Sequence, residues 1–249
     1  MANDTIGQVD VISYYPIKSM KGKHVDEIEI SPSGLMYDRI GGFRRVGVDS
    51  DRNSQRFLTA RPLPKCLPAL LGMEPRVYAK TQGRPDIDIA IPGHGVFDAY
   101  SPAMARLLER MSGVSPLEFV LNEQRVQDRG QVSLVGLNSL LELSQQPGMS
   151  MIDAERFRMN LQLNLSGDYD KPFAEDRLVG KRIAVGEAEL EVVEQTARCP
   201  LPNVDPEDNS RVNPLILKAI GRLNNGRLGV YANVAKPGLV RRGDGIYLK

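Results

Sequence analysis

The sequence predicts a mainly β protein with short helices, an α+β chain built on barrels and not on a doubly wound sheet. Three observations carry this. Short runs with apolar residues at alternate positions recur along the chain, separated by turn residues. Prolines at 62, 64, 68 and 75 exclude a long helix from that stretch. Helical spacing of apolar residues is confined to a few short segments.

In chain order, residues 8–16 read as a strand ended by Pro16. Residues 25–30 carry Ile28 and Ile30 at alternate positions before the Ser31-Pro32-Ser33-Gly34 turn. Residues 43–48, 56–59 and 86–91 read as further short strands. Residues 101–111 predict a helix, with Met104, Leu107, Leu108 and Met111 on one face behind a Ser-Pro start. A second helix is expected at 137–145, with Asn138 near its cap, and a third from about 152. Strands return at 183–185 and 187–194, where Leu190, Val192 and Val193 stand against Glu189, Glu191 and Glu194. Residues 213–223 predict a helix, 229–234 a strand, and 242–248 a turn into a last strand. A boundary falls between residues 115 and 130.

Composition narrows the function. The chain has 249 residues, 41% hydrophobic and 25% charged, as expected of a folded globular protein. Lys plus Arg number 32 against 31 Asp plus Glu, a net charge of +1, whereas nucleic-acid binders are usually far more basic. No apolar run reaches the roughly 18 residues of a membrane span. The first residues lack the charged-then-apolar pattern of a secretory leader, so the expected location is cytoplasmic, with neither nucleic acid nor membrane as partner. Two histidines, His24 and His94, are too few for a His-rich metal site. Cys66 and Cys199 are far apart and form no C-x-x-C pair, and the common nucleotide-binding and hydrolase signatures are absent.

Cys199 stands out. It lies in a polar, proline-rich loop, Arg198-Cys199-Pro200-Leu201-Pro202-Asn203-Val204-Asp205-Pro206, after an amphipathic strand. A neighbouring arginine favours the thiolate, the form that binds metals and attacks electrophiles. A small buried structural cysteine is the alternative, and it is the reading adopted for Cys66.

This loop resembles the cysteine loop of the MOSC family. Arg156-Phe157-Arg158-Met159-Asn160-Leu161 is similar to the family's Arg-Phe-Arg-Pro-Asn segment, followed by Pro172-Phe173-Ala174-Glu175-Asp176. Tyr15-Pro16-Ile17-Lys18-Ser19-Met20-Lys21-Gly22 resembles the opening of the family's N-terminal β-barrel domain, and Gly34-Leu35-Met36-Tyr37-Asp38-Arg39 its Gly-Leu-x-x-Asp-Arg step. Leu58-Thr59-Ala60-Arg61 is similar to its Thr-x-Arg strand, and Gly229-Val230-Tyr231-Ala232 and Gly243-Asp244 to its closing strands. The likeness spans nearly the whole chain in order. Two departures stand out: Met159 replaces a proline, and Pro200 to Asn203 replace the threonines that often follow the cysteine, which alters the wall beside Cys199.

The resemblance implies a MOSC β-barrel at 123–249 packed against a smaller β-barrel-like domain at 1–122, the two intertwined. It implies a molybdenum cofactor, a metal held by the dithiolene sulfurs of a pyranopterin that ends in a phosphate, with Cys199 as catalytic residue and metal ligand. Lys18, Arg39, Arg158 and Arg198 would supply charge to the phosphate, and Ser19, Asn160 and Asn203 hydrogen bonds. Asn160 could equally pin loop backbone, and Asp205 and Asp128 could be turn residues. The implied activity is that of the amidoxime-reducing type: two-electron removal of oxygen from a small N-hydroxylated substrate, with electrons from a separate ferredoxin or cytochrome b5-like protein. A sulfur carrier using a Cys199 persulfide and a protein that stores or delivers the cofactor are the alternatives.

Overall fold

The computed structural model describes residues 5–48, 56–81, 84–121, 130–149 and 154–249. Its centre is a closed barrel of seven strands. These are β1 (Thr5–Tyr14), β10 (Val132–Gly136), β11 (Leu161–Leu165), β12 (Arg182–Val185), β13 (Ala188–Ala197), β14 (Arg227–Lys236) and β16 (Gly245–Leu248). They run in the order β11-β10-β14-β13-β12-β16-β1, and β1 pairs back onto β11 to close the ring. All pairs are antiparallel except β10 with β11. The short β2 (Lys23–Val25) lengthens the sheet beside the end of β1. Alternate residues fill the interior, among them Val9, Ile12, Leu134, Leu163, Ile183, Leu190, Val230 and Ile246.

The expected apolar face of β13 needs one correction. Leu190 and Val192 point inward, but Val193 faces out at 37% exposure. Successive side chains in a strand alternate, and a bulge between Val192 and Glu194 restarts the register on β14.

The remaining strands build smaller sheets: β3 (Glu27–Ser31) with β4 (Gly34–Leu35) and β15 (Gly238–Arg241), β5 (Gly41–Arg45) with β9 (Leu117–Leu121), and a meander of β6 (Glu74–Thr81), β7 (Arg84–Ile91) and β8 (Gly95–Asp98). Helix α1 (Pro102–Ser112) covers a second core that includes Ile17, Met20, Phe43, Leu70, Ile89, Met104 and Leu108. Residues 56–59 form no strand. Phe57 makes a single bridge to Arg44 before the prolines turn the chain away.

Helix α1 starts as its sequence predicts: Ser101 Oγ accepts from the Met104 amide at 3.2 Å, and Gly113 ends the helix in the left-handed region. Helix α2 (Leu137–Ser144) differs from expectation at its start. Gly136 is its cap, and Asn138 instead donates to Asp170 Oδ1 at 2.6 Å. Helix α3 (Leu215–Asn224) begins after Pro214. The helix expected from about 152 is a single 3-10 turn, Ala154–Phe157. Helices α2 and α3 pack with Phe157 and Met159 in a third core. No helix among the described residues is long and apolar enough to cross a membrane. Most of the expected boundary region, 122–129, lies outside the described residues.

Candidate functional site

The Cys199 loop leaves β13 at the barrel rim. The Arg198 amide donates to Gly226 O at 2.9 Å, and a 3-10 turn, Leu201–Asn203, follows. Val204 is fully buried in the second core and bridges to Val212. Asp205 Oδ1 accepts from the Glu207 and Asp208 amides at 3.0 and 3.1 Å. Burial alone would raise the Asp205 carboxyl, but these two amides and the Arg156 guanidinium outweigh it and hold the group below its usual range. The loop is therefore pinned on both sides of Cys199, while the thiol itself is exposed.

A second loop, residues 156–160, locks onto the first. Arg156 Nη1 donates to Val204 O at 2.8 Å, and its Nη2 meets Asp205 Oδ2 at 2.6 Å. Arg198 answers in the other direction, donating to Phe157 O at 2.7 Å and contacting Met159 Sδ at 3.4 Å. Thus the arginine beside Cys199 extends its guanidinium toward the second loop.

The N-terminal segment joins through Tyr15. Its ring lies under Arg158, 4.2 Å away, and Arg39, 5.1 Å away. Arg158 also donates to Met20 O, and Arg39 to Arg158 O at 2.7 Å. Asp38, fully buried, accepts from the Tyr15 amide at 2.8 Å and forms an ion pair with Arg39. Burial pushes the Tyr15 hydroxyl up to about 12. Gly22 is needed for closeness: a Cβ there would sit 2.4 Å from the Tyr15 ring. Ser19, Arg39 and Arg158 all hold φ near +50 to +66°, a strained region that clusters at functional sites.

The structure thus brings Arg39, Arg158, Asn160 and Arg198 into one network around Tyr15 and the 156–160 loop. Asn160, 1% exposed, accepts from the Ser133 amide and hydroxyl and donates to Ser13 O, which ties β1 to β10. Lys18 and Ser19 are also buried. Asn203 stands apart from this network. Its side chain accepts from the Leu217 amide at 3.1 Å in the first turn of α3. Asp128 lies outside the described residues. Sequence reasoning left Tyr15, Asp38, Arg156 and Ser133 off the site; the first three stand inside the matched motifs, whereas Ser133 carries no such signal.

The donor set suits a metal that arrives with its own sulfur ligands. Among the described residues no group of three or more His, Cys, Asp or Glu could hold a bare ion. One exposed, soft thiol on a braced loop needs no such group if the remaining coordination comes with the cofactor.

The MOSC domain family model matches residues 122–247. The chain is similar to the crystal structure of the YuaD protein from Bacillus subtilis, with a TM-score of 0.51 and 16% identity over 97% of this chain and 94% of that one. A match to YiiM from Geobacillus stearothermophilus has a TM-score of 0.37 and 19% identity, covering 48% of this chain and 54% of that one. No curated protein matches by sequence. The YuaD likeness shows a shared fold along the chain, and the family match covers more than half of it: the chain belongs to the MOSC domain family.

Proposed function

We propose that this protein binds a molybdenum pyranopterin through Cys199 and reduces small N-hydroxylated compounds. The observation that supports it most is the meeting of three separate sequence segments, 15–22, 156–160 and 198–205, in one hydrogen-bonded network with the exposed Cys199 at its edge. The bound group would supply two-electron removal of the N–O oxygen, giving the amine and water.

The chain's own residues divide by what they already contact. Cys199 presents sulfur from a loop that Arg156 and Val204 keep still. Lys18, Ser19, Arg158 and Arg198 would hold the cofactor's phosphate and polar edge. Arg39, Asn160 and Asn203 are positioning residues: Arg39 is neutralised by Asp38, Asn160 joins two strands, and Asn203 caps a helix turn. Electrons would come from a separate ferredoxin or cytochrome b5-like protein.

The test is reduction of a panel of amidoximes and hydroxylamines by the full chain, produced in a host that makes the cofactor, with a chemical electron donor. Turnover is expected, and its loss in Cys199→Ala. The exposure of Cys199 specifically favours one other reading, a persulfide carrier. Cyanide-labile sulfur on Cys199 with no reduction of the panel would select that reading instead.

A further inference from the structure

The loop that carries Cys199 is flanked on both sides by one basic stretch of chain. On one side the Asn213 amide donates to Asn203 O at 2.7 Å, the Asp205 amide donates to Arg211 O at 2.9 Å, and Val212 bridges to Val204. On the other, Arg227 stands opposite Ala197 in the β13–β14 ladder, and Gly226 O accepts from the Arg198 amide. Helix α3 connects the two sides. From residue 209 to residue 235 the sequence has four basic residues, Arg211, Lys218, Arg222 and Arg227, and no Asp or Glu.

All four are exposed. Helix α3 buries Ile216, Ala219 and Ile220, while Leu215, Lys218 and Arg222, at i, i+3 and i+7, share its outer face. The side chains of Arg211, Lys218 and Arg227 have no ion pair or hydrogen bond among the described residues, and Arg222 donates to the neutral Gln146 at 2.9 Å. The carboxylates close by in the chain are mostly engaged: Asp205 with Arg156 and Glu207 with Lys21. Asp176 and Glu142 are partly buried and accept from the Asn224 and Gln146 side chains. Asp208 is exposed and has no cation among the described residues. Positive charge therefore dominates this face. Val212 and Leu215, 47% and 42% exposed, lie between Arg211 and Lys218 in the chain. Exposed apolar residues framed by unpaired cations fit a protein partner of opposite charge. A second copy of this chain would bring like charges together in a two-fold pairing of the face.

We propose that an acidic electron-transfer protein docks on this face, its carboxylates against Arg211, Lys218, Arg222 and Arg227 and its redox group toward the exposed Cys199 edge. This rests on the reductase reading above. Removing the oxygen of an N–OH group takes two electrons and two protons and releases water. The carrier gives the electrons one at a time and is itself oxidised, and the protons come from solvent.

Titration calorimetry of the full chain with a plant-type [2Fe–2S] ferredoxin, and separately with the haem domain of a cytochrome b5, tests this at ionic strengths of about 20 and about 200 mM. Saturable binding of at least one carrier is expected, weaker by about tenfold or more at the higher ionic strength. Lys218→Glu with Arg222→Glu, and separately Arg211→Glu with Arg227→Glu, should each weaken it about tenfold or more while the circular dichroism spectrum is kept. Lys236→Glu changes a charge at the far end of β14 and should leave affinity within about twofold. No binding of either carrier, binding unchanged by salt or by the paired reversals, an equal loss in Lys236→Glu, or equally tight binding of a short single-stranded DNA would overturn the proposal. Binding is read without turnover. A chain that binds a carrier but reduces nothing with a chemical donor would overturn the reductase reading and support the surface. One that turns over with the chemical donor but binds neither carrier would do the reverse.

Discussion

Tyr15 shows how a motif residue is explained by its neighbours. Its position in the Tyr-Pro-x-Lys-Ser-x-x-Gly segment is visible in the sequence, but the partners that need an aromatic ring there, Arg39 and Arg158, come from elsewhere in the chain. The same holds for Gly22, whose missing side chain makes room for that ring. Asn160 was legible as a site residue with two possible roles, and its bonds to Ser13 and Ser133 give the positioning role its support. Glu175 carries a prediction at this scale. It is fully buried, accepts from Ser139 Oγ at 2.7 Å, and burial pushes its carboxyl up to about 7 from 4.5. A raised carboxyl binds its proton more tightly in the folded state. Its contribution is therefore complete below about 4.5 and is lost as pH rises toward about 7. Glu175→Gln should gain on the wild type by about 3 kcal/mol between pH 4.5 and pH 8, read from urea unfolding at both values. An unchanged gap between the two proteins would contradict this.

At the scale of elements, legibility follows how local the cause is. Helix α1 was readable because its cap, its proline and its apolar spacing all lie within a dozen residues of one another. Ser101→Ala should cost about 1 kcal/mol of stability, measured by chemical denaturation, with the helix still formed. Strands β10 and β11 were not readable. Every residue of β10 is buried, so the alternation that marks a half-exposed strand is absent. Strand β6 begins Glu74-Pro75; the proline argued only against a long helix, and β6 lies at the edge of its sheet, where a proline is tolerated. The cap of α2 was misplaced because Asn138 has the right chemistry for a cap yet finds a partner in Asp170, which only the tertiary fold brings near. Asn203 is the converse: a residue singled out for a ligand serves the start of α3 through a contact 14 positions away.

Across the whole molecule, the barrel is a joint product of both ends of the chain. Strand β1 lies between β11 and β16 and closes the ring, and the expected intertwining rests on this strand. A fragment of residues 123–249 lacks it and would leave the edges of β11 and β16 and the apolar interior open. Such a fragment should show no cooperative thermal unfolding by circular dichroism, whereas the full chain should; a sharp transition in the fragment would contradict the closure argument. The same architecture explains how far the site could be read. The ordered motifs named its parts, but their convergence depends on Val204 entering the second core while Phe157 and Met159 enter the third, which is long-range packing that no local pattern encodes. Cys199 lies on the loop that runs from β13 to Val204, and the central claim is that it is there to bind a metal. The most direct measurement is the molybdenum content of the protein purified from a host that makes the cofactor, beside that of Cys199→Ala. About one molybdenum per chain, lost in the variant while its circular dichroism spectrum is kept, is the expected result. A wild-type protein without molybdenum, or a variant that retains it in full, would contradict the assignment of Cys199 as the ligand.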